Sequence, residues 1–126
     1  MLGDVLEDFP ELKKWNIKIT IDHELGYDGY YNGDSSISIR PGEMGDNELR
    51  GLIFHDALHV DEAMITVYGS QALYGVREGF SHFFKKPVHD PWIIKATGQY
   101  RGWLNNGNKP NTVAVTPNLG NAPWRN

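Results

Sequence analysis

Apolar and polar residues alternate in two short stretches of this chain and recur at helical spacing in longer ones. In NIKITID, Ile17, Ile19 and Ile21 fall on one side, with Lys18 and Thr20 on the other. A period of two predicts a half-buried strand over 17–22. Ser36-Ile37-Ser38-Ile39-Arg40 repeats the pattern and predicts a second strand, broken by Pro41-Gly42. Between them, LGYDGYYNGD is dense in Gly, Tyr and turn residues and reads as a loop or hairpin connection. The two strands are expected to pair as a small antiparallel sheet.

Helical spacing takes over elsewhere. DVLEDFPELKKW, at 4–15, suggests a short helix or two turns around Pro10. Leu49, Leu52, Ile53, Leu58 and Met64 predict a helix over about 47–67, with Asp46 as its N-cap and Tyr68-Gly69-Ser70 as its end. Ser70 would cap a second long helix over about 71–85. Gly75 and Gly79 weaken it, at ~1 kcal/mol each relative to alanine, and Pro87 stops it. A third helix is expected from Pro91, in its first turn, to Leu104, with Asp90 as N-cap. Its Trp92, Tyr100 and Trp103 have the spacing of core residues. The stretch 106–126 is rich in Asn, Gly and Pro, and only TVAVT (112–116) resembles a strand. It reads as a tail, wrapped on the surface or partly disordered. The expected class is α+β: a small antiparallel sheet on about three helices, in a single domain spanning 1–126.

Composition narrows the function. The chain has 126 residues, enough for one modest core. A net charge of −4 disfavours a nucleic-acid binder, since such domains usually carry a basic patch. There is no cysteine, so only His and carboxylates remain as strong metal ligands. MLGDVLEDFPELKK shows no basic region followed by an apolar run, so no signal peptide is expected. No apolar stretch approaches the ~20 residues of a membrane span. If the domain acts outside its own cell, delivery within a larger protein is the expected route.

The chemistry concentrates in His55-Asp56-Ala57-Leu58-His59. Side chains four apart share a helix face, so both imidazoles can reach one tetrahedral zinc. The acid after the first histidine stands where a metallopeptidase keeps its general base. A bland alternative stays open: two ordinary polar residues on a half-exposed helix.

HDALH is similar to the zincin motif HExxH, with aspartate for glutamate. Nineteen residues beyond His59, Arg77-Glu78-Gly79-Phe80-Ser81-His82 resembles NExxSD, the second zinc helix of the thermolysin-like gluzincins. Glu78 and Ser81 match; Arg77 and His82 depart, standing where the family has Asn and Asp. The likeness covers about residues 35–85, with the strand at 36–40 preceding the motif helix as in the zincin core, where the edge strand holds extended substrate. It implies zinc held by His55, His59 and Glu78, and hydrolysis of peptide bonds with Asp56 as base. A peptide or protein substrate follows. Small zincin-like domains also serve as polymorphic-toxin modules, which would add an inhibitor or immunity protein as partner.

Each role has a plainer rival. Aspartate is one methylene shorter than glutamate and falls ~1.5 Å short of the usual position unless the helix moves closer. Asp56 could therefore support the site without acting as base, in a weak or inactive binding module. Another metal-dependent hydrolase is a further alternative. Glu78 could pair with Arg77 or a lysine, though Val76, Gly79 and Phe80 around it favour burial, where a carboxylate needs a cation. His82 could be the third ligand or could orient a histidine. His89 and Tyr100 are candidate oxyanion stabilisers; His89 could equally be an exposed ring in a cap segment. His23-Glu24 is no second motif, because Tyr27 stands where a histidine is needed. Asp61 and Glu62 read as solvated helix acids.

Overall fold

The protein is described by a computed structural model over residues 1–33, 35–68, 91–107 and 119–124. The expected second long helix, 71–85, the cap Asp90 and the strand-like 112–116 lie outside these residues.

The chain opens with helix α1, Leu2–Asp8, and a 3-10 helix, Pro10–Trp15. Asn16 ends the latter at φ 51, a left-handed conformation that asparagine tolerates better than most residues. Strand β1 is Lys18–Ile21, β2 is Gly29–Tyr31 and β3 is Ser36–Ile39. Helix α2 runs Asp46–Tyr68 and α3 runs Pro91–Asn105. The α+β class holds.

The sheet is mixed rather than purely antiparallel, with order β1-β3-β2. The expected pairing of the two Ile-rich strands exists, but it is parallel, with Ile19 beside Ile37 and Ile21 beside Ile39. The cause is β2. It forms a hairpin with β3, Tyr31 against Ile37 and Gly29 against Ile39, so β3 returns in the direction of β1. The crossing loop is held by Arg40, whose guanidinium donates to Leu25 O (2.6 Å) and Asp28 Oδ1 (3.1 Å). The strand at 36–40 is therefore central, and β2 is the edge on the far side from β1.

Ile37 and Ile39 are buried on the face that packs against α2. Ser36 and Ser38 point the other way, where Asn32 Nδ2 donates to both hydroxyls. Helix α2 lies at the centre of the fold: from Ile53 to Asp61, His55 alone is more than slightly exposed. On its far side α3 presents Ile93, Ala96, Thr97, Tyr100 and Leu104, a stripe at helical spacing. Gly51 lets the two helices close, because a Cβ there would run into the Arg101 side chain. Phe9 stacks on Phe54 at 4.2 Å, and Tyr100 meets both rings edge-on, at 5.0 and 4.9 Å. Arg50 ties α2 to α1 through Asp4, 3.1 Å away.

The C-terminal stretch departs from its expectation where it is described. Leu119, Ala122 and Trp124 are buried in the main core, not laid on the surface. Trp124 packs edge-on against Trp92 at 4.8 Å, and its indole is claimed by α2.

Candidate metal centre

Position 55 to position 59 is one turn of α2, and the two rings meet as the spacing requires. Their centroids lie 4.9 Å apart at 72°. Nε2 of His55 and Nε2 of His59 face each other at 3.3 Å. Two nitrogen lone pairs aimed at one point repel unless a proton or a cation sits between them. Each ring also meets an oxygen on its other side. His55 Nδ1 is 3.2 Å from Thr97 Oγ1, on α3. His59 Nδ1 is 3.9 Å from Glu62 Oε1, one turn further along α2. Nε2 converging inward with Nδ1 held outward is how imidazoles are set to bind a metal.

Asp56 completes the group. One ligand atom from each of His55, Asp56 and His59 fits within 4.8 Å of the others, so the three could hold a metal ion. Asp56 is 5% exposed, and its Oδ2 meets no hydrogen-bond donor among the described residues. Burial pushes its carboxyl up to about 7, and the nearby His59 pulls it partly back. A buried carboxylate lacking a donor is costly in the metal-free protein, and a cation would relieve that cost.

The edge strand makes room for this acid. A Cβ at Gly29 would collide with Asp56 Oδ2 and lie 2.8 Å from Leu52 Cδ1. Glycine thus lets β2 lie directly against the helix, and the short side chain of aspartate reaches the strand. Tyr31, two residues on, lies parallel to the His59 ring at 6.4 Å.

Other expected residues fall elsewhere. Glu78, His82 and His89 lie outside the described residues. Tyr100 is fully buried, and its hydroxyl donates to Asp8 Oδ2 at 2.7 Å. Burial, reinforced by that carboxylate, pushes its pKa further up. Its single proton is committed to the core, which leaves none for an oxyanion. Asp61 is no solvated acid. It is fully buried and accepts from Trp15 Nε1 at 2.9 Å and Trp124 Nε1 at 2.6 Å. Glu62 faces His59 rather than bulk water. Its position three residues after a histidine was a usable signal. Thr97 offered another: a polar residue on the otherwise apolar stripe of α3. Nothing in the sequence singled out Gly29.

No family model matches the chain, and no curated protein or solved structure is similar to it. Among the described residues, no helix is long and apolar enough to cross a membrane.

Proposed function

We propose that His55 and His59 bind zinc and that the protein hydrolyses peptide bonds, with Asp56 as general base. The observation that carries the reading is the convergence of both Nε2 atoms, with the buried Asp56 carboxyl in the same group and its Oδ2 meeting no donor among the described residues. Two nitrogens and an oxygen suit zinc among the common divalent ions. Bound there, zinc would polarise a carbonyl and make water a nucleophile near neutral pH. Asp56 Oδ2 would take the proton of that water and return it to the leaving amine. Strand β2 runs past the same acid. Glu78 is the proposed third protein ligand, on the REGFSH pattern. The resemblance to zincins rests on these residues alone.

A second reading has its own support. The Asp56 carboxylate belongs to the same three-residue group, so it could be a ligand rather than a base. With Glu78 as the fourth ligand no position would be left for water, and the site would be structural and the domain a binding module.

One set of measurements separates the two. Elemental analysis should find about one zinc per chain, lost in a His55→Ala, His59→Ala double variant. Cleavage of an unfolded protein such as casein should stop with chelator and return with zinc. Asp56→Asn should keep the metal and lose roughly 10²–10⁴ in rate if Asp56 is the base. Loss of metal in that variant favours the structural site. Metal content unchanged by the double histidine variant would sink both readings.

A further inference from the structure

The contacts around the histidine pair form a directed chain: Thr97 Oγ1, His55 Nδ1, His55 Nε2, His59 Nε2, His59 Nδ1, Glu62 Oε1. Its last member decides the direction. A carboxylate only accepts. At 3.9 Å Glu62 is beyond hydrogen-bond length, but its charge favours a proton on His59 Nδ1. A neutral His59 then has a bare Nε2. His55 must supply the proton between the rings from its own Nε2, so its Nδ1 is bare. Thr97 is left to donate. With both rings neutral, the Thr97–His55 and His55–His59 links each have one donor and one acceptor, and the Glu62 charge faces an N–H.

Metal binding demands the opposite at one position only. Both Nε2 atoms must be bare to ligate. His59 already meets that condition. His55 must carry its proton on Nδ1, and Thr97 Oγ1 must accept it. The ring keeps one proton throughout, and the hydroxyl rotates. Among side chains of this size only a hydroxyl serves in both directions from one place: a carboxylate cannot donate while ionised, an amide would have to flip end over end, and an apolar chain does neither. Thr97 is buried on α3, packed opposite α2, so its oxygen is held where His55 needs it.

We infer that Thr97 is a positioning residue of the metal site, donating to His55 Nδ1 in the metal-free protein and accepting from it once metal is bound. The inference rests on the metal reading above and assigns the site a third element of the fold. It also explains a polar residue on the core stripe of α3.

The test compares the wild type with Thr97→Val, which keeps the shape and removes the hydroxyl, and Thr97→Ser, which keeps the hydroxyl. Affinity for Zn²⁺ is read by competition with a chromophoric chelator. Ring ¹⁵N shifts of His55 are read in the metal-free protein and after adding Zn²⁺. Loss of a residue that orients a ligating histidine typically weakens metal binding about 10–100-fold. Thr97→Val should show that loss, and Thr97→Ser should stay within about threefold of wild type. The wild-type spectrum should move from an Nε2–H to an Nδ1–H tautomer of His55 on adding Zn²⁺. Melting of the metal-free variants checks that each is folded, and Thr97→Ala serves in place of valine if Thr97→Val is not. If folded Thr97→Val binds Zn²⁺ as tightly as wild type, the inference fails and the metal reading stands. The inference also fails if metal-free His55 already carries its proton on Nδ1. A wild type that binds no Zn²⁺ overturns both.

Discussion

Helix α2 buries two aspartates five residues apart, and they are treated in opposite ways. Asp61 has an indole N–H on each carboxylate oxygen, from Trp15 and Trp124. Asp56, almost as deeply buried, has an Oδ2 that meets no donor among the described residues and lies against Gly29. Burial is the same in kind; satisfaction is not. A satisfied buried carboxylate is architecture, since its donors replace the water it lost. An unsatisfied one is a cost that folding alone does not explain, and such costs gather where chemistry is done. The difference between the two acids, more than the motif itself, sets the His55 region, which could hold a metal ion, apart from the Asp61 region, whose carboxylate is fully matched by donors.

The comparison can be broken at either acid. The largest effect on stability is expected at Asp61. Asp61→Ala strands two buried indole donors, and we expect it to cost about 3–5 kcal/mol. Urea unfolding measures it. A loss below about 1 kcal/mol would mean the indoles find other partners and that Asp61 is no anchor.

Asp56 should behave in the reverse sense when metal is absent. Its folded pKa, about 7, lies above the unfolded value of 3.8. A raised pKa contributes stability that is complete below the unfolded value and is lost as pH climbs toward the folded one. In chelator, wild-type stability relative to Asp56→Asn should therefore fall between about pH 4 and pH 7 and level off above. At ~1.4 kcal/mol per pKa unit the difference is a few kcal/mol. Parallel melting curves for the two proteins across that range would show that Asp56 is not strained by burial. Zinc should erase the difference by supplying the counter-charge.

Gly29 offers the mildest probe. Gly29→Ala forces β2 or the Asp56 side chain to move, since the new methyl overlaps Oδ2. Overpacking of this sort costs ~1–3 kcal/mol. The sharper readout is Zn²⁺ affinity, which should weaken if Asp56 is displaced from the histidines. A variant that loses stability yet keeps its zinc affinity would separate the strand from the site.

What the sequence disclosed depended on distance along the chain. His55 and His59 were legible because one helical turn joins them, and Leu49, Leu52, Ile53, Leu58 and Met64 marked a helix over about 47–67. Strand Lys18–Ile21 and strand Ser36–Ile39 were visible in the alternation of isoleucines. Their relative direction was not, because it hangs on Gly29–Tyr31, three residues with too little pattern to declare themselves a strand. Asp61 misled for a related reason. A helix acid with no local partner looks solvated, and its donors are 46 and 63 residues away. Thr97 stands out locally as a polar residue on an apolar stripe, but its partner His55 lies 42 residues away, out of reach of local rules. Tyr100 lies in the core, as its aromatic set predicts, and not at an oxyanion site, because its hydroxyl donates to Asp8 on α1.

The two indoles on Asp61 also have a meaning for the order of assembly. Helix periodicity alone can form α2 early, but an early α2 must keep this carboxylate in water. One donor arrives with the segment before the sheet, the other with the last described turn of the chain. Closing such long loops is slow compared with forming a helix. Until both flanks dock, burying α2 would strand the Asp61 carboxylate without its donors. The geometry of the His55, Asp56 and His59 group is thus a property of the finished chain rather than of the pentapeptide that announces it.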